Sequence, residues 1–192
     1  MPGPYPDWLR RLPPEFYRGE AFVHWTLAIE GRRTGWLTPT FHARLRELLV
    51  HALLRAGLVC PIYCAMPDHV HLLWWGLRHL SDQRLAMSWF RRQLNRGLVE
   101  AGFSLQKQGH DHVLRDDERL ESALVALMEY IARNPERRGL VPADGYASYP
   151  FTGCVIPGYP EVDWFEPGAW GRIWSLCSRL RESNFFSKPL RL

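Results

Sequence analysis

The sequence predicts an α+β fold: a ferredoxin-like antiparallel sheet with helices packed on one face, plus N- and C-terminal extensions. Three observations carry this. From residue 20 onward the elements run strand, helix, strand, strand, helix, strand, helix. The apolar residues recur at period two in the strands and at helical spacing in the helices. The second and third strands are separated only by Met66-Pro67-Asp68, which reads as a tight turn. A chain of 192 residues suits one domain with an extension or two. We divide it into a Pro-rich N-terminal arm (1–19), a domain (20–145) and a C-terminal extension (146–192).

The arm holds five prolines and reads as an extended segment that wraps the domain or stays mobile. Val23, Trp25, Leu27 and Ile29 alternate along "AFVHWTLAIEGRR", the first strand. The first helix is capped by Thr38, carries Pro39 at its first position and stops at Gly57. Its core stripe is Phe41, Leu45, Leu48, Leu49 and Ala52. "VCPIYCAM" and "DHVHLLWWG" are the second and third strands. Ser81 is expected to cap a second helix, with Leu85, Trp89 and Leu94 along one side and Arg84, Arg91, Arg92 and Arg96 on the rest. "GHDHVLR" reads as a fourth strand. A third helix is expected from Asp116 and Asp117 through Asn134, where Pro135 ends it. Leu120, Leu124, Leu127 and Ile131 form its stripe. Beyond residue 141 the text is loop-like, with one short helix near "WGRIWSLCSRLR".

Hydrophobic residues make up 46% of the chain and charged residues 23%, values that allow a real core and exclude a disordered body. The 24 Lys and Arg against 20 Asp and Glu give +4, almost all of the excess arginine. Arginine forks match phosphate geometry and stack on flat rings, and nine tryptophans stand beside them. Cys60, Cys64, Cys154 and Cys177 form no CxxC pair and read as free thiols in a reducing cytoplasm. Cys60 and Cys64, four apart on one strand, are expected to face the same way. No run is long enough to span a membrane, and no signal core appears, which agrees with a cytoplasmic location.

His69 and His71 lie two apart on a strand and so share one face, with Leu73 and Trp75 farther along it. Two adjacent imidazoles repel when both are protonated, and a bound cation that keeps both neutral resolves this. Two hydrogen-bonded histidines at a sheet surface would fit the spacing as well. Tyr130 and Asn134, four apart, stack one turn over the other on the flank of the third helix. Ala123 and Ala126 share that flank and leave room around the phenol.

The strand "MPDHVHLL" followed later by "YIARNPERRGLV" resembles the single-tyrosine HUH transposases, and within them the REP-associated tyrosine transposase branch. "HDHVLRDDERL" and "FVHWTLAIEGRRTGWLTP" add to the resemblance, which covers roughly residues 20 to 160. Arg138 stands where that family usually has alanine, and "YASYPFTG" replaces its usual Trp-Pro-Tyr-Ser stretch.

The resemblance implies that residues 20–145 are a catalytic domain that cleaves single-stranded DNA by transesterification and rejoins it through a 5′-phosphotyrosine bond. Tyr130 would be the nucleophile, and His69 and His71 the ligands of a divalent metal. Asn134 would be a third ligand through its amide oxygen, although an asparagine before proline is also an ordinary helix end. The family points to Mg²⁺ or Mn²⁺, whereas two imidazoles by themselves suit zinc or manganese.

His112 would protonate the leaving oxygen or, alternatively, serve a structural or DNA-contacting role. Arg91, Arg92 and Arg96 would track the DNA backbone. The expected partner is single-stranded DNA bearing a REP-like hairpin, met by a monomer or homodimer in the cytoplasm. The competing reading is a catalytically inactive module that binds single-stranded DNA or RNA hairpins on the same fold.

Overall fold

The structure, a computed structural model, describes residues 11–183, 185 and 186, so the first ten residues of the arm lie outside the described residues. Five strands form one antiparallel sheet: β1 (Phe22–Ala28), β2 (Leu58–Met66), β3 (His69–Gly76), β4 (His110–Val113) and β5 (Thr152–Val155). Their order is β4-β1-β3-β2-β5. The first four strands with α1 (Pro39–Ala56) and α2 (Gln83–Glu100) make the expected split arrangement. Three further helices follow: α3 (Glu121–Ala132), the single turn α4 (Asn134–Arg137) and α5 (Ala169–Glu182).

Both faces of the sheet are covered, where helices on one face were expected. Val70, Leu72 and Trp74 point into a core with Leu45, Leu49 and Leu53 of α1 and Met87, Phe90 and Leu94 of α2. Leu73 and Trp75 point the other way, against Leu124, Met128 and Ile131 of α3 and Ile173, Leu176 and Cys177 of α5. Every residue of β2 and β3 is buried. Continuous apolar runs such as "VCPIYCAM" are the sign of a strand covered on both sides.

Pro61 accounts for another departure. The register of β2 shifts between Val59 and Ile62 against β3, and between Cys60 and Tyr63 against β5. A proline cannot donate to a ladder and belongs at such a bulge. The extra residue reverses the alternation, so Cys60 faces α1 while Cys64 faces α3. The two cysteines therefore do not point the same way. Among the described residues all four thiols are free and buried. Burial pushes Cys64, Cys154 and Cys177 up to about 12, which keeps them protonated and inert.

The helix ends show where local signals competed. Thr38 accepts from Phe41 N and Gly57 closes α1 in the left-handed region (φ 64°), as expected. Asp82, not Ser81, caps α2, accepting from Leu85 N; the Ser81 hydroxyl donates instead to Gly57 O. The buried face of α2 also differs from the expected stripe: Leu85 is exposed, and Gln83, Ala86, Met87, Phe90, Leu94 and Leu98 face inward. In α3 the buried stripe is Leu124, Met128 and Ile131, while Leu120 precedes the helix and is exposed. Pro135 does not end a helix but sits in the first turn of α4, where its missing N–H costs nothing.

The C-terminal extension is part of the body. β5 pairs with β2, and α5 runs 14 residues where a short helix in loop was expected. At the other end, Tyr17 is buried against Trp25 and the chain crosses so near β3 that a Cβ on Gly76 would lie 1.9 Å from Gly19 O. Residues 11–19 thus wrap the domain. Among the described residues no helix is long and apolar enough to cross a membrane.

Candidate active site

The histidine pair sits at the start of β3, where Met66 pairs with His69 and Cys64 with His71. Both are nearly enclosed, at 4% and 7% exposure. Their Nε2 atoms face each other 2.9 Å apart, with the rings nearly perpendicular at 85°. The outer nitrogens are held from two directions. His69 Nδ1 meets Asp68 Oδ1 at 2.5 Å, and Arg32 pairs with Asp68 Oδ2 at 3.3 Å. His71 Nδ1 meets His24 Nε2 at 3.0 Å and Thr26 Oγ1 at 3.2 Å, both from β1.

The electrostatics favour neutral imidazoles. Burial, and then His24 and His69, push His71 down to about 2. Burial is also the main cause lowering His69, with Arg32 and Arg138 adding to it against the pull of Asp68. Burial works to raise the Asp68 carboxyl, but the hydrogen bond and charge of His69, together with Arg32, hold it below its usual range. Neutral rings with exposed lone pairs are what a metal ion binds.

The spacing fits an ion. Two nitrogens bound at about 2.0–2.1 Å and at right angles stand about 2.8–3.0 Å apart. A carboxylate on the outer nitrogen of one ligand is the usual orienting partner of such histidines. Among the described residues no third His, Cys, Asp or Glu completes a ligand set. Further positions would fall to an amide oxygen, water or substrate.

α3 and α4 pack against β2 on this same face. Met128, Ile131 and Ala132 share a buried cluster with Cys64, Met66 and Leu73 on that face. Asn134 is buried at that joint, and its Nδ2 donates to the carbonyls of Tyr130 (2.9 Å) and Ile131 (3.2 Å). Those bonds use the amide nitrogen only. Tyr130 stands on the open flank, 43% exposed, with the Arg137 guanidinium over its ring.

Other candidates stand elsewhere. His112 lies on β4, two strands from the pair, exposed and bound through Nε2 to Glu118 Oε1 at 2.8 Å. Arg91, Arg92 and Arg96 are on α2, across the sheet from the histidines. Arg91 donates to the carbonyls of Gln106 and Lys107, where it holds the approach to β4, and Arg96 donates to Gln93 Oε1. Arg32, which pairs with Asp68, and Arg138 are cations whose charge acts on His69. Arg32 holds a backbone φ of 53°, uncommon for a side chain other than glycine and a mark of local constraint.

Asp68, Arg32, His24 and Thr26 escaped the sequence reading. Asp68 adjoins His69 and was open to inspection; the β1 pair becomes visible only once Thr26 is known to lie opposite His71.

No protein-family model matches the chain, and no curated protein does. Among solved structures, a REP-associated tyrosine transposase bound to a REP hairpin is similar in fold: it aligns with a TM-score of 0.60 at 19% identity, covering 76% of this chain and 81% of its own. A bacterial tRNA(His) guanylyltransferase-like protein in complex with GTP aligns with a TM-score of 0.46 at 13% identity, covering 85% and 93%.

Proposed function

We propose that the protein is a metal-dependent endonuclease and transposase of single-stranded DNA that cuts and rejoins through Tyr130. The observation that carries this is the facing pair of His69 and His71, oriented by Asp68 on one side and β1 on the other; α3, which bears Tyr130, packs against the neighbouring strand β2. A shared fold with a hairpin-bound transposase supports the same class of partner, a hairpin-bearing single strand.

Tyr130 Oη would form a bond to the scissile phosphorus as the bond from phosphorus to the 3′ oxygen breaks. The product is a 5′-phosphotyrosine and a free 3′-hydroxyl, which carries away a proton. The phosphodiester energy is kept in the covalent link, so the reverse step rejoins strands without a nucleotide cofactor. His69 and His71 would hold a divalent ion, Mg²⁺ or Mn²⁺, with Asn134 Oδ1 as a third donor. Such an ion supplies charge neutralisation at the phosphate oxygens.

Arg32 and Arg138, whose charge acts on His69, would take neighbouring phosphates. Arg92 and Arg96, exposed on the far side, would serve only DNA that wraps the sheet. His112, engaged by Glu118, suits a DNA contact better than a proton donor. The protein would act as a monomer or homodimer in the cytoplasm.

The alternative is a hairpin-binding module without catalysis. Incubation with hairpin-bearing single strands and Mn²⁺, followed by denaturing electrophoresis, separates the two. The endonuclease gives a protein–DNA adduct that Tyr130→Phe abolishes while binding persists. Binding without any adduct from the wild type identifies the module.

A further inference from the structure

The hydrogen-bond chain that begins at Asp68 continues past the histidine pair into β1. Asp68 Oδ1, His69, His71 and His24 follow one another at 2.5, 2.9 and 3.0 Å. A neutral imidazole has one N–H and one lone pair, so the partner of one nitrogen decides what the other can bind. For His69 the matter is settled by a carboxylate, which only accepts and so keeps the proton on Nδ1. His71 has no carboxylate. Its Nδ1 meets two neutral groups, His24 Nε2 and Thr26 Oγ1, each able to accept.

We propose that His24 is a positioning residue for the metal site: it accepts the Nδ1 proton of His71 and frees the Nε2 lone pair of His71 for the ion. Thr26 is the second, longer acceptor. This rests on the reading of His69 and His71 as ligands.

The sheet supplies the acceptor by register. Thr26 pairs with His71 and His24 with Leu73, so His24 stands one step along the same face, its ring centroid 5.2 Å from that of His71.

The test is a Mn²⁺ titration of the full chain, read by the resonance of the free ion, for the wild type and the His69→Ala, His24→Leu and His24→Gln variants. Loss of an orienting partner typically weakens metal affinity by about ten- to a hundredfold, and that loss is expected for His24→Leu. His24→Gln, whose side chain reaches as far as Nε2 and keeps an acceptor, should stay within a few-fold of the wild type. In long-range nitrogen–proton spectra of the Zn²⁺-loaded wild type, the His71 proton is expected on Nδ1.

Wild-type affinity in folded His24→Leu overturns the proposal, as does a His24→Gln protein as weak as the leucine variant, or a His71 proton on Nε2 in the loaded protein. If His24→Leu fails to fold, the glutamine variant and the spectra decide. A wild type that binds Mn²⁺ no better than His69→Ala sinks the ligand reading and this inference together. A loss in His69→Ala with none in His24→Leu sinks the inference alone.

Discussion

Arg137 reaches back across the α3–α4 joint and lays its guanidinium 4.2 Å from the centroid of the Tyr130 ring. The contact gives a half-open phenol a fixed neighbour at the place where the chain changes helix. Exposed contacts of this kind are worth about 0.5–1 kcal/mol. Arg137→Ala should therefore slow adduct formation about two- to fivefold in single-turnover assays with Mn²⁺. Arg137→Lys keeps the charge but loses the flat stack, and should be slowed as well. A lysine variant at the wild-type rate would show that charge, rather than stacking, is what matters there.

Gln83, the first residue of α2, is fully buried against the sheet, accepting from Trp25 Nε1 at 3.2 Å and donating to Ala21 O at 2.7 Å. Gln83→Ala leaves the Trp25 indole N–H enclosed without its partner, while Ala21 O keeps the bond from Gly76 N. A stranded buried group costs about 1–3 kcal/mol, so the urea midpoint should fall clearly although little apolar surface is lost. A midpoint within error of the wild type would mean that water or repacking satisfies the indole.

His42 bears on acid stability away from the candidate site. Burial, and then Arg46, push its imidazole down to about 4, and its Nε2 lies 3.0 Å from the Tyr63 hydroxyl. Its ordinary value is about 6.5, so between pH 4 and 6.5 the unfolded chain binds the proton that the folded chain refuses. Stability should thus be insensitive to this group above about pH 6.5 and fall as the pH drops toward 4. His42→Gln should flatten that part of the stability curve by up to about one proton's slope. An unchanged slope would assign the acid sensitivity to other groups.

Much of the architecture was legible because periodicity and caps agreed. Thr38, Pro39 and Gly57 delimit α1 to the residue, and the parity of His69 and His71 put them on one face with Leu73 and Trp75. Where local signals conflicted, reading failed. Ser81 was expected to cap α2, but Asp82 does so, and Leu85 of the expected stripe is exposed while Leu94 is buried. Within "VCPIYCAM", Pro61 marks the bulge that separates Cys60 from Cys64.

Four-residue β5 had too little pattern to read, and it exists because β2 presents an edge for it. The candidate site shows the same division. The histidine pair is marked by its spacing along the chain, and Tyr130 and Asn134 by the resemblance to the family motif, whereas Arg32, His24 and Thr26 join the pair only through strand register and a turn.

The central claim is that the phenol of Tyr130 becomes covalently joined to DNA. Tryptic digestion of the adduct formed with a hairpin-bearing single strand and Mn²⁺, followed by mass spectrometry, tests it most directly. The peptide Leu120–Arg133 contains Tyr130 and no other tyrosine. That peptide is predicted to carry the nucleotide phosphate on Tyr130. An adduct on a different peptide, or none from a protein that binds the hairpin, would contradict the account.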